Sequence, residues 1–365
     1  MESAEEFTFE HHPAKKPMTP QERKARLQNP AFGTVFTEHM ATVRYAEGKG
    51  WYDARVEPFG PLPLSPATAA LHYGQEIFEG LKAYRTPDGG AQLFRPADNA
   101  RRLRQSAHRL AMPAVPENAF LGAVQELVAT DLDWLPDAPG TSLYLRPFQI
   151  ATEEYLGMRP AREYLFGVIA CPVAGGIAGT AAAMTVWISD DHTRAAPGGT
   201  GAAKCGGNYA ASMLPQARAM EAGCHQVVYL DAARRRHVEE LGGMNIFFVF
   251  DDGSLLTPPL SDSILPGITR DSVIALARAE GLTVEQRPYS IDEWRTDIAS
   301  GRLLEVFSCG TAAVVAPVGA VRGAIGDLRI GDGGPGPVTE RLRAALMDIQ
   351  YGRSTDPFGW TTRIA

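Results

Sequence analysis

The sequence predicts a two-domain α+β protein, and three observations carry that expectation. A chain of 365 residues exceeds what one hydrophobic core usually organises. Short β-like runs alternate with helical periodicity in both halves. Between the halves, Ala174-Gly175-Gly176-Ile177-Ala178-Gly179-Thr180-Ala181-Ala182-Ala183 offers little that can pack and reads as a linker. The expected organisation is an N-terminal arm at 1–30, a small α/β domain at 31–173, an interdomain linker at 174–183 and a larger α/β domain at 184–365.

Taken in order, the arm is rich in Lys, Pro, Glu and Gln and is expected to be loosely held. Ala91–Phe94 reads as a strand. Asp98 can cap a helix running to Leu110, in which Leu103, Ala107 and Leu110 share a face. A second helix is expected from about Pro116 to Leu132, where Phe120, Val124, Leu127 and Val128 recur at helical spacing, and strands follow at Ser142–Arg146 and Tyr164–Ala170. Beyond the linker, strands are expected at Met184–Ser189, Gln226–Leu230, Ile246–Phe250 and Leu303–Phe307. Helices are expected near Asn208–Ala222, Arg270–Glu280 and Thr339–Gln350. No internal repeat is evident.

Composition narrows the function. The formal net charge is −7 with both signs interspersed and no basic run, which argues against nucleic acid as a partner. No apolar run is long enough to span a bilayer, and the acidic, polar start MESAEEFTFEHH is unlike a secretory signal, so a cytoplasmic protein is expected. Cys171, Cys205, Cys224 and Cys309 form no CxxC pair and have no histidine at zinc-ligand spacing, which points to reduced thiols and no metal.

Chemistry concentrates at Pro197-Gly198-Gly199-Thr200-Gly201-Ala202-Ala203-Lys204-Cys205-Gly206-Gly207-Asn208-Tyr209. Glycines allow positive φ and close approach to a ligand, and a partly desolvated lysine can act as an amine nucleophile forming a Schiff base. An ordinary surface turn is the competing reading. A phosphate loop is rejected, because Ala203 and Cys205 stand where that motif needs Gly and Ser or Thr.

Other motifs give the lysine a setting: Phe32-Gly33-Thr34-Val35-Phe36, Leu71-His72-Tyr73, Phe78-Glu79-Gly80-Leu81-Lys82-Ala83-Tyr84, Phe94-Arg95-Pro96, Thr141-Ser142-Leu143-Tyr144-Leu145-Arg146-Pro147, Glu239-Glu240-Leu241-Gly242-Gly243-Met244-Asn245, Leu265-Pro266-Gly267-Ile268-Thr269-Arg270 and Ser308-Cys309-Gly310-Thr311-Ala312. In this order the chain resembles the branched-chain amino acid aminotransferases from near residue 30 to the C-terminus.

The resemblance implies pyridoxal 5'-phosphate, the two-domain fold shared with D-amino-acid aminotransferases, and a homodimer. It implies that Lys204 holds the cofactor as a Schiff base and moves the substrate Cα proton, and that Glu240, rather than its neighbour Glu239, faces the pyridine nitrogen. Tyr209 is implied to bond the phenolate oxygen. Arg102, rather than Arg101, is implied to bind the phosphate with Gly267, Ile268, Thr269, Gly310 and Thr311. Phe32, Tyr73 and Phe78 resemble a wall around an aliphatic side chain, and Tyr144 and Arg146 the pair that takes the distal carboxylate of glutamate. The backbone of Thr311 and Ala312 would receive the α-carboxylate.

The expected reaction moves the amino group of L-leucine, L-isoleucine or L-valine to 2-oxoglutarate. A specialised or D-amino-acid aminotransferase or a lyase of the same fold is the first alternative, and a non-catalytic phosphate-binding module the second. Two departures from the family stand out. The loop after Cys171-Pro172-Val173 is small and flexible where eukaryotic members carry an aromatic pair. Ala313 and Ala316 replace a redox CxxC, so no thiol switch is expected.

Overall fold

The structure, a computed structural model, describes residues 7–28, 30–173, 183–323 and 325–364. The expected linker at 174–183 falls outside these residues except for Ala183. Two compact units emerge, one comprising Met1–Ile177, Ala203–Gly206 and Ile349–Ala365, the other Ala178–Ala202 and Gly207–Asp348.

The first unit contains β1 (Glu10–His11), α1 (Pro20–Leu27), β2 (His39–Ala46), β3 (Gly50–Pro58), α2 (Ala69–Tyr73), β4 (Glu76–Phe78), β5 (Leu81–Arg85), β6 (Ala91–Phe94), α3 (Pro96–Arg109), α4 (Glu117–Thr130), β7 (Ser142–Ala151) and β8 (Glu163–Val173). Its sheet runs β1-β3-β2-β8-β7-β5-β6, with β4 also on β7. The apolar stripes of α3 and α4 bury Leu103, Ala107, Phe120, Val124, Leu127 and Val128 in one core with Val43, Leu145 and Phe166 of the sheet.

The chain continues through β9 (Met184–Ser189), α5 (Gly206–Ala210), α6 (Met213–Glu221), β10 (Gln226–Leu230), β11 (Val238–Leu241), β12 (Asn245–Phe250), β13 (Leu255–Thr257), α7 (Ile268–Ala279), β14 (Val284–Gln286), α8 (Ile291–Ser300), β15 (Leu303–Gly310), β16 (Val314–Gly323), β17 (Leu328–Arg329) and α9 (Pro337–Gln350). The second unit's sheet runs β11-β10-β9-β16-β15-β12-β13-β14, with β17 on β16. Its core centres on Phe248, Tyr289 and Trp294 against Val186, Val306 and Val318. The last strand, β18 (Thr361–Arg363), pairs antiparallel with β6 of the first unit.

Several local expectations give way to long-range contacts. The arm is not loose over its described residues. β1 pairs parallel with β3, Phe9 is buried, and α1 starts with a Thr19/Glu22 capping box and Pro20. Asp98 does not cap α3. Arg95, in the left-handed region at φ 52°, is the N-cap, and Asp98 sits inside the first turn, bonded to Arg95 and Arg101. The helix expected over 208–222 is broken into α5 and α6.

The first unit also holds two segments that composition assigned to the later domain. At the C-terminus the reason is specific pairing: Gln92 Nε2 donates to the carbonyls of Ile349 (2.9 Å) and Gln350 (3.0 Å), and the Tyr351 hydroxyl donates to Thr141 O (2.8 Å).

Candidate active site

Lys204 lies in the short segment 203–206, and its backbone is held on both sides. Its N–H donates to Ser106 Oγ of α3 at 2.9 Å, and its carbonyl accepts the Phe78 N–H at 2.9 Å. Cys205 bridges Ile77 of β4 and buries its thiol in the first core. Gly206 donates its N–H to Glu76, where a Cβ would lie 1.9 Å from Glu76 Oε1, so a side chain there would displace that carboxylate. The plain surface turn is thereby set aside. Lys204 Nζ stands 4.9 Å from the centroid of the Phe78 ring.

Beneath it, Glu79 is fully buried and holds Arg102 in a two-point pair, Nε to Oε1 at 2.7 Å and Nη2 to Oε2 at 2.8 Å. Asn99 Nδ2 adds a bond to Oε2 at 2.7 Å. Burial pushes the Glu79 carboxyl up, but the Arg102 charge and hydrogen bonds, with the Lys204 charge, hold it below the usual range. The neighbouring arginines differ in burial: Arg102 is enclosed, whereas Arg101 is exposed and paired with Asp98. Sequence reading quoted Glu79 within a motif and gave it no role. Ser106, Asn99 and Glu79 together form the scaffold under the lysine.

The proposed side-chain wall is partly assembled in this unit. Tyr144 and Arg146 share a face of β7, two residues apart, and Arg146 Nη2 donates to the Tyr144 hydroxyl at 3.0 Å. Arg146 stacks over Phe78 at 4.7 Å, and the Phe32 ring meets Tyr144 edge-on at 5.0 Å. Gly80 makes room for this, because a Cβ there would lie 2.2 Å from the Tyr144 hydroxyl. The Arg146 Nε is buried with no hydrogen-bond partner among the described residues. Among the described residues, Tyr73 makes no ring contact with Phe32, Phe78 or Tyr144. It ends α2, is 47% exposed, and its ring contact is with His72.

The second unit carries its own group. Glu240, on β11, is almost completely buried; Oε1 accepts the Leu265 N–H and Oε2 lies 3.2 Å from Arg194 Nε. Glu239, its neighbour, is half-buried and bonded to Ser263 Oγ at 2.5 Å. Arg194 is the residue that sequence reading missed, and no spacing pattern marks it. Its guanidinium also donates to Ser263 O at 2.7 Å and Gly201 O at 3.3 Å, tying Glu240 to two flanking loops.

Tyr209, in α5, packs over Gly243, where a Cβ would stand 3.3 Å from its ring. Gly267 is the N-cap of α7 and has no side chain to cap it; a Cβ there would lie 1.9 Å from Asn245 Oδ1. Ile268 and Thr269 open that helix. Gly310 ends β15, Thr311 and Ala312 form the tight turn to β16, and Val314 holds φ at 61°. A β-branched residue in the left-handed region is costly, so the surrounding sheet holds this turn against its local preference.

These donors suit pyridoxal phosphate. The first unit offers an amine on fixed backbone, and the second a buried carboxylate backed by a cation and a glycine-capped helix start whose amides can meet an anion, the donor types that an aldehyde, a ring nitrogen and a phosphate call for. A family model described as amino-transferase class IV matches residues 76–321. The branched-chain-amino-acid aminotransferase of Mycobacterium tuberculosis (strain CDC 1551 / Oshkosh) is 52% identical over 355 residues, 96% of each chain. A probable branched-chain-amino-acid aminotransferase of Streptomyces coelicolor is 52% identical over 359 residues, 98% of this chain and 99% of that one.

The chain belongs to the branched-chain amino acid aminotransferase family, within class IV.

Structures of that family agree. A branched-chain amino acid aminotransferase from T.th., solved with pyridoxamine 5'-phosphate, matches at a TM-score of 0.73 and 30% identity, covering 89% of this chain and 99% of that one. The Escherichia coli enzyme matches at 0.72 and 30%, with the same coverage. The class IV aminotransferase fold and the pyridoxal phosphate dependence expected from the sequence therefore hold for this member of the family.

Proposed function

We propose that this aminotransferase passes the amino group of L-leucine, L-isoleucine or L-valine to 2-oxoglutarate, with named residues of each unit in distinct roles. When bound, pyridoxal phosphate supplies an electron sink for the pair left behind as the Cα proton departs. In the first unit, Lys204 would hold the cofactor through its amine and, once the substrate amine has displaced it, would accept the Cα proton, its backbone fixed by Ser106 and Phe78. Arg102, oriented by Glu79, supplies positive charge for the phosphate.

In the second unit, Glu240 keeps a proton on the pyridine nitrogen and Tyr209 donates to the phenolate oxygen. Gly267, Ile268 and Thr269 offer helix-start amides to the phosphate, and Gly310 and Thr311 add theirs, with the Thr311 hydroxyl. The backbone of Thr311 and Ala312 receives the α-carboxylate. Phe32 and Phe78 enclose an aliphatic side chain, each buried methylene contributing about 0.8 kcal/mol.

The observation that carries the substrate reading is the Tyr144/Arg146 pair beside the Lys204 amine and the Phe78 ring, with its unpartnered buried Nε. An apolar wall with one buried guanidinium serves an aliphatic and an acidic partner in alternate half-reactions. A homodimer is part of the proposal. Tyr73, Leu71, Leu64, Leu156 and Met158 are exposed on two segments joined by the Thr68–Glu154 bridge, an apolar surface of the kind a second copy covers. We place the enzyme in the cytoplasm, where its four buried thiols stay reduced.

Following the visible cofactor band tests the reaction. L-leucine should abolish it and 2-oxoglutarate should restore it. A band that ignored L-leucine and answered to D-alanine would replace this reading with the D-amino-acid alternative, and sedimentation at the monomer mass would remove the dimer.

A further inference from the structure

The N-terminal arm has no part in the chemistry above, yet it is fastened beside a residue that does. Glu38, immediately before β2, accepts three donors: the Met18 N–H on Oε1, and Arg23 Nη1 (3.4 Å) and the Trp134 indole N–H (3.0 Å) on Oε2. Its own backbone is fixed to the sheet, since its carbonyl accepts the Phe59 N–H at 2.8 Å. One residue on, His39 Nε2 accepts the Ala14 N–H at 3.1 Å while Nδ1 faces Asp131 at 2.7 Å. Arg23 reaches further, to Asp133 at 2.7 Å.

The Arg23–Glu38 contact joins residues fifteen apart and so closes the chain into a ring. Phe32 rides in that ring, on a turn closed by the Thr34 N–H to Ala31 O bond (3.2 Å), with Gly33 at φ 72°. The turn touches the site through the edge of Phe32 on Tyr144 and the Gly33 N–H on the Cys171 thiol, and its C-terminal side is fixed by Val35 packed against the first core, Phe36 stacked on Phe59, and the Thr37 N–H on Ala170 O (3.0 Å). Phe32 is 39% exposed. With its C-terminal side fixed, the turn keeps one position only if its N-terminal side is tied as well, because the entropy of a free loop grows with its length.

We propose that residues 14–27 are a strap whose closure on Glu38 fixes the Phe32 turn and so sets affinity for aliphatic substrates. Arg23 and Glu38 are positioning residues that act through Phe32. The proposal rests on the reading of Phe32 as part of the substrate wall, and the test separates the two.

Arg23→Met, Glu38→Gln and Phe32→Ala are made singly, and each of the first two is combined with the third, in the holoenzyme. Arg23→Met stands in should Glu38→Gln fail to fold. The strap predicts that Arg23→Met or Glu38→Gln raises KM for L-leucine about fivefold to tenfold, the scale of losing part of an apolar pocket, with kcat and the cofactor band unchanged. In the Phe32→Ala background neither should add to KM, since the group they position is gone. A lower melting temperature with unaltered KM, or effects that simply add to those of Phe32→Ala, would overturn the strap. If Phe32→Ala raises KM while the strap variants do not, the wall reading survives and the strap alone is lost. If Phe32→Ala leaves KM unmoved, both fall.

Discussion

Replacing Lys82 with Met should stabilise this enzyme at neutral pH, and the structure sets both the size and the pH dependence of the gain. Lys82 lies on β5 in register with Tyr144 of β7, which is in turn opposite Cys171 of β8, so the three share one face of the first sheet. The side chain is only 4% exposed, and burial lowers the amine from 10.5 to about 8, with a small opposing effect of Cys171. A shift of that size corresponds to about 3 kcal/mol, at about 1.4 kcal/mol per pH unit.

The sign follows from proton counts. Below pH 8 both folded and unfolded chains carry the proton, and the fold bears the whole cost of the buried charge. Between about 8 and 10.5 the unfolded lysine holds a proton that the folded one has released, so stability rises with pH. Above 10.5 both are neutral and the cost is gone.

Methionine matches the stem without a charge. Lys82→Met should therefore gain up to about 3 kcal/mol over the wild type at pH 7, less whatever contact the ammonium gives up, and the advantage should shrink through the window from 8 to 10.5. Urea unfolding of both proteins across that range measures it, and NMR of a labelled lysine Cε should place the midpoint near 8. An advantage that did not vary with pH, or a less stable variant at pH 7, would refute the desolvation argument.

Other expectations follow from the same geometry. Arg194→Met leaves the Glu240 carboxylate buried without its cation and should cost about 3–5 kcal/mol; the double variant with Glu240→Gln should cost less than the two single losses summed, as a double-mutant cycle of unfolding free energies would measure. Glu79, held below 4.5 by Arg102, contributes stability that is present above that value and lost as pH falls through its lowered folded pKa; the stability gap between wild type and Glu79→Gln should narrow on acidification, as denaturation at pH 7 and pH 3 would reveal. Arg146→Met should raise KM for 2-oxoglutarate by roughly a hundredfold or more while L-leucine still discharges the cofactor band, the asymmetry expected from removing one charged partner of a carboxylate. Lys204→Ala should abolish turnover, measured as glutamate formed from L-leucine and 2-oxoglutarate.

The sequence by itself determined the elements whose own side chains decide them. Ala91–Phe94, Met184–Ser189 and Gln226–Leu230 form strands with the expected bounds, and α4 spans Glu117–Thr130 within the expected range, because period-2 and period-3.6 apolar patterns need no distant partner to be read. Ordered motifs also disclosed the family and the lysine. What only the tertiary structure decided is pairing across long sequence distances. Arg194 meets Glu240 across two loops, Glu79 meets Arg102 below the lysine, and the arm fastens on Glu38. The exposure of Tyr73 at the end of α2 was likewise not legible, since a motif fixes residue order and not which surface a side chain faces. Each of these depends on where the folded backbone brings a charge or a ring, and burial raises the stake of the pairing, because a buried charge that loses its partner is costly.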